Sequence, residues 1–142
     1  MIKLTTEEIR YIGLFEQITK VPAKDCVIDE VSNSLVTFVV DENKMGMAVG
    51  MGGSNVRRLK KIIGKDVDLV AFSEDPLQLA KNALAPAVAE KVEVVEKNGK
   101  KVIVVTMDYQ NRKLAIGKGG RRIRNARKIV QRHHGIEDIV FR

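Results

Sequence analysis

Sliding the chain against itself by 67 positions superimposes two glycine-rich turns, and this repeat constrains the fold more than any other feature. Asp41 falls on Asp108, Ala48 on Ala115, and Gly50, Gly52 and Gly53 on Gly117, Gly119 and Gly120. Arg57, Lys61 and Ile62 meet Arg124, Lys128 and Ile129. Substitutions in between keep their character, with Met47 opposite Leu114, Val49 opposite Ile116, Val56 opposite Ile123 and Ile63 opposite Val130. In 142 residues, a unit written twice means two small domains, expected at residues 1–74 and 75–142.

Each copy reads as helix, two strands, helix, glycine turn, helix, strand. In the first, residues 6–20 carry Ile9, Ile12, Phe15 and Ile18 at three-residue spacing, with Thr5 or Thr6 as N-cap and Pro22 just past the end. Strands follow at Cys26 to Ile28, Leu35 to Val40 and Val67 to Phe72, the first two joined by a polar turn at Ser32-Asn33-Ser34. The second copy opens at Asp75-Pro76, a capping acid before a proline whose missing N–H costs nothing there. Leu77, Ala80, Leu84 and Val88 form the expected apolar stripe. Strands at Val92 to Glu96 and Val102 to Thr106 are joined through Asn98-Gly99, which suits a tight hairpin, and Asp138 to Phe141 closes the sheet. The junction Ser73-Glu74-Asp75 is too short for a flexible tether, so the two domains are expected to dock as a rigid pair.

Composition narrows the class. With 44% hydrophobic and 30% charged residues the chain has enough apolar material to fold. No apolar run approaches the roughly 18 residues needed to span a bilayer, and Met1 to Arg10 is too polar for a signal peptide, so a cytoplasmic protein is expected. The one cysteine, Cys26, can form neither an internal disulfide nor a cysteine-paired zinc site and is expected to pack as a small apolar residue. Charge is unevenly placed. Residues 1–75 hold 10 Lys and Arg against 12 Asp and Glu, a net of −2, whereas residues 76–142 hold 15 against 6, a net of +9. From Arg112 to Arg132 nine basic residues occur without an acid, which points to a polyanionic partner for the second copy.

The candidate site residues lie at the two turns, Gly50-Met51-Gly52-Gly53 and Gly117-Lys118-Gly119-Gly120. Backbone without side chains approaches a sugar-phosphate closely enough to donate N–H groups, and the helix that follows aims its positive end at the same spot. On that helix Val56, Leu59 and Ile63, or Ile123, Ala126 and Val130, are expected inward. Arg57, Arg58 and Lys61 in the first copy, and Lys118, Arg121, Arg122, Arg124 and Lys128 in the second, are then expected to reach a bound backbone. Met51 occupies the first loop tip, where a ribose or base contact and packing are equally open. His133 and His134 close the last helix, where a cation suits the C-terminus, and read as structural.

An apolar residue followed by Gly-x-x-Gly-x-x-apolar between two helices resembles the signature of the KH family, in its type II element order. Ser73-Glu74-Asp75-Pro76, followed by Lys81-Asn82-Ala83-Leu84-Ala85-Pro86-Ala87, is similar to the junction of the two KH domains in NusA-like transcription factors. Leu114-Ala115-Ile116-Gly117-Lys118 is similar to the opening of their second signature. The resemblance covers essentially the whole chain and matches the short archaeal form, since these residues hold neither the polymerase-binding domain nor the RNA-binding barrel of bacterial members. It implies an α+β fold of two tandem type II KH domains, each a three-stranded sheet covered on one face by three helices. It also implies a factor in transcription elongation, termination or antitermination that binds single-stranded RNA, each loop clamping about four nucleotides beside an apolar groove.

Other chemistries fail on spacing. Neither turn has the third glycine of a dinucleotide fingerprint, and Lys118 precedes glycine rather than the Ser or Thr of a P-loop, so no cofactor is expected. No histidine, carboxylate and nucleophile converge, so the chain is read as a non-enzyme with no small-molecule substrate and no membrane partner. Aromatics, at 4%, are too few for a stacking platform, and Phe38, Phe72 and Phe141 are assigned to the core. Two other readings stay open: a duplex-DNA binder, and a protein-interaction module docking RNA polymerase or ribosomal components.

Overall fold

In the computed structural model, which describes residues 2–142, the chain divides between Phe72 and Ser73 into two compact units. In the first, helix α1 (Thr6–Thr19) is followed by strands β1 (Asp25–Ile28) and β2 (Leu35–Val40), helices α2 (Met45–Val49) and α3 (Ser54–Ile63), and strand β3 (Asp66–Ala71). The second repeats the order as α4 (Pro76–Leu84), β4 (Lys91–Lys97), β5 (Lys100–Thr106), α5 (Tyr109–Ile116), α6 (Arg121–His134) and β6 (Asp138–Phe141). Each sheet has its middle strand antiparallel to the one before it and parallel to the last, with Cys26 opposite Phe38 and Phe38 opposite Leu69 in the first. A parallel pair needs a crossover, and the two helices flanking each glycine turn supply it.

The helix-facing side of the first sheet is a close-packed core. Val36, Phe38 and Val40 of β2 meet Tyr11 and Phe15 of α1, Ala48 of α2 and Leu59 of α3, with Cys26 buried among them. Phe15 and Phe38 stack with centroids 4.5 Å apart. α1 starts on a capping box in which Thr5 Oγ1 accepts from Glu8 N–H at 3.1 Å and Glu8 Oε1 accepts from Thr5 N–H at 2.9 Å. The stripe read from the sequence needs correction here. Ile9 is 58% exposed and Tyr11 is buried instead. Strict three-residue spacing lags an α-helix by about 60° per step, so Ile9, Ile12, Phe15 and Ile18 wind halfway round the helix and cannot all face one sheet.

In the second unit α4 packs on α6, burying Leu79, Ala80, Ala83 and Leu84 against a helix whose Ile123, Ala126, Ile129 and Val130 are buried. Asp75 caps α4, accepting from Leu77 N–H at 3.0 Å. The helix ends at Leu84, so Val88, assigned to its stripe, lies beyond it and is 69% exposed. Pro86 is the reason, because a proline disfavours helical backbone in the residue before it. Asn98 and Gly99 both take left-handed φ (54° and 77°) and close the β4–β5 hairpin with a two-residue turn. Phe38 is in the core as expected, but Phe72 and Phe141 are half-buried at strand ends beneath cations, Lys24 Nζ 4.8 Å and Arg112 Cζ 5.8 Å from the ring centroids.

Candidate functional site

The two glycine turns have nearly the same backbone. Gly50 and Gly117 sit at φ 80°, ψ 165° and φ 77°, ψ 176°, a region open essentially to glycine alone. Gly52 and Gly119 sit at φ 61° with ψ 23° and 19°, and Gly53 and Gly120 are left-handed too, at φ 77° and 81°. One hydrogen bond closes each turn, from Gly53 N–H to the Gly50 carbonyl at 3.0 Å and from Gly120 N–H to the Gly117 carbonyl at 3.1 Å. The helices that follow start on Gly53 and Gly120 with no side-chain cap, although Ser, Thr, Asp or Asn would be the ordinary choice there.

The glycines are not equivalent. A Cβ on Gly117 would lie 2.8 Å from Arg122 Cβ and 3.1 Å from Arg122 N, and one on Gly50 would lie 2.8 Å from Ser54 Oγ. At Gly52 or Gly119 a Cβ meets no atom within 4 Å. We therefore expect Gly117→Ala to destabilise the second unit by about 3 kcal/mol through clash and forbidden backbone, and Gly119→Ala by about 1 kcal/mol through its φ alone. Urea unfolding of the two variants compares them directly, and equal costs would contradict this geometry.

Two side-chain struts hold each turn. Asn55 Nδ2 donates to the Met47 carbonyl at 3.1 Å, tying α3 to α2, and its counterpart Arg122 donates through Nη1 to the Leu114 carbonyl at 2.8 Å, tying α6 to α5. Arg57 Nη1 donates to the Gly52 carbonyl, and Arg124 Nη1 to the Gly119 carbonyl at 2.7 Å. Asn55 did not stand out in the sequence, because the repeat pairs it with a chemically different arginine. Their common position five residues after the first glycine was the available signal.

Of the remaining candidates, Met51 is 93% exposed at the first tip and Lys118 is exposed at the second. Arg58 and Lys61 are exposed on α3, whereas Arg121, Arg122, Arg124 and Lys128 on α6 are half-buried rather than fully outside. Position 58 maps onto Asn125, which is buried, so of the three basic positions on α3 only those of Arg57 and Lys61 are reproduced on α6. The run from Arg112 to Arg132 is also less uncompensated than its sequence implies, since Asp138 on β6 pairs with Arg127 Nε at 2.8 Å. His134 Nε2 lies 2.9 Å from the Ser73 carbonyl, a bond to main chain that suits a structural role. Among the described residues no group of His, Cys, Asp and Glu is placed to hold a metal ion, and no helix is long and apolar enough to cross a membrane.

A mixed three-stranded sheet backed by helices, with a Gly-x-x-Gly turn between the last two and the whole repeated, defines a tandem KH-domain protein. A KH domain model matches residues 8–73, and a model of the NusA-like second KH domain matches residues 76–139. The chain is 37% identical over 139 residues to the probable transcription termination protein NusA of Methanocaldococcus jannaschii, covering 97% of this chain and 74% of that protein. It is 33% identical over 138 residues to the protein of the same description from Halococcus morrhuae, covering 97% and 96%. It is also similar to the crystal structure of APE1850, with a TM-score of 0.80 at 36% identity, covering 98% of this chain and 100% of that one. The chain belongs to the archaeal NusA-like family of tandem KH-domain proteins.

Proposed function

We propose that this chain binds single-stranded RNA through both Gly-x-x-Gly turns and their adjoining apolar surfaces, and acts without catalysis in transcription termination or antitermination, in contact with the transcription machinery. The observation that carries the reading is the matched pair of turns. Three glycines at positive φ within four residues are entropically costly, and a connection between helices does not need them. A surface that must let a sugar-phosphate approach main-chain N–H groups at a helix start does need them. Gly50 to Gly53 and Gly117 to Gly120 form the clamps in this reading. Met51 and Lys118 stand at the tips, and the basic residues of α3 and α6 (Arg57, Arg58 and Lys61; Arg121, Arg122, Arg124 and Lys128) flank them. The names of the relatives, probable transcription termination proteins, supply the biological setting.

Fluorescence-anisotropy titrations of one sequence as single-stranded RNA, single-stranded DNA and duplex DNA test the reading. The RNA strand is expected to bind tightest, with log affinity falling against log salt by about 0.7 per phosphate neutralised. Preference for the duplex would replace the proposal with a DNA-binding role. Absence of nucleic-acid binding, together with capture of RNA polymerase after nuclease treatment, would replace it with a protein-docking role.

A further inference from the structure

The repeat preserves an arginine four residues after the last loop glycine, at Arg57 and Arg124, and the sequence alone offers it as a phosphate ligand. Both side chains instead turn back onto the loop and donate to the carbonyl of its third residue, Gly52 or Gly119. The last glycine makes room for this return, since a Cβ on Gly53 would lie 3.3 Å from Arg57 Nη1 and one on Gly120 2.7 Å from Arg124 Nη1. A planar guanidinium fork fixes the carbonyl's direction in a way that a flexible ammonium does not.

We infer that Arg57 and Arg124 are positioning residues that lock each Gly-x-x-Gly turn into its binding shape before RNA arrives, an inference that rests on the proposed RNA-binding role. Their effect on affinity then comes through order in the loop, since a preformed site avoids the cost of fixing a mobile backbone on binding. The two roles separate experimentally. Loss of a phosphate contact flattens the salt dependence by about 0.7, whereas loss of a brace lowers affinity at every salt concentration and leaves the slope unchanged.

The test uses the full chain as wild type, Arg124→Ala, Arg124→Lys and Arg57→Ala, with circular dichroism to confirm folding. Amide hydrogen exchange at Gly120 and Gly53, whose N–H groups close the turns, is measured without RNA, and affinity for a single-stranded RNA is measured across salt. Exchange at Gly120 should quicken by roughly tenfold in both Arg124 variants, the scale of one lost hydrogen bond. Affinity should fall by a similar factor at constant slope, and lysine should not rescue it. Arg57→Ala should do the same at Gly53, and as an exposed position in the other unit it provides an independent arm. Unchanged exchange, rescue by lysine, or a slope flattened by about 0.7 would overturn the inference. If the wild type bound no RNA, the proposed function would fall while exchange at Gly120 still decided the brace.

Discussion

Replacing Lys118 and Gly119 together by aspartate is expected to lower affinity for single-stranded RNA by about a hundredfold or more while leaving the fold in place. The change moves three charge units toward the negative at the point where a phosphate is proposed to sit. A single unit-charge contact at 4 Å is worth from about 1 kcal/mol in bulk water to about 4 kcal/mol near a protein surface, so three such units suffice for a hundredfold even at the lower value. The fold should tolerate the pair, because a Cβ at Gly119 meets no atom within 4 Å, Lys118 is exposed, and aspartate is among the residues that visit left-handed backbone. The corresponding Met51→Asp, Gly52→Asp change adds only two charges and removes no lysine, so a smaller loss, roughly thirtyfold at the lower value, is expected there. Anisotropy titration beside circular dichroism makes the measurement. Wild-type affinity in both variants would remove the loops from the binding site.

Phe38→Ala should cost about 3–5 kcal/mol in the first unit, the largest stability effect we expect from one substitution. Phe38 is fully buried at the centre of β2, stacked on Phe15 and flanked by Cys26 and Leu69 on neighbouring strands. The cavity is enclosed by α1, α2 and α3, so collapse around it is limited. A domain of about 70 residues has little stability to spare, and the urea midpoint should fall sharply, to the point of leaving this unit partly unfolded in buffer. Phe72→Ala should cost about 1–2 kcal/mol, since that ring is half-buried and contributes a cation contact with Lys24. A loss below about 1 kcal/mol for Phe38→Ala would show that the core has been placed wrongly.

The elements were legible because their signals are local. β2 and β6 run over the residues that the apolar pattern marks, the Asn98-Gly99 hairpin closes as its dipeptide requires, and Asp75-Pro76 starts a helix. The errors share a cause. Ile9 and Val88 look like members of apolar stripes, but which side of a helix faces the sheet, and where a proline ends it, depend on geometry that spacing alone approximates. Aligned residues also diverge in use. Asp108 caps α5, accepting from Asn111 N–H at 2.8 Å, whereas its repeat partner Asp41 makes no cap and pairs with Lys24 at 3.4 Å.

By itself, then, the sequence determined the number of units, the order of their elements, their α+β class and the positions of the glycine turns. These follow from periodicity, capping and backbone freedom, which act within a few residues along the chain. Only the tertiary structure decided what the side chains around those turns do. Arg127 is neutralised by Asp138, Asn125 is buried where Arg58 is exposed, and Arg57 and Arg124 hold main-chain carbonyls. A charged side chain's role depends on which groups lie within about 4 Å of its tip, and folding brings residues distant in sequence within that range.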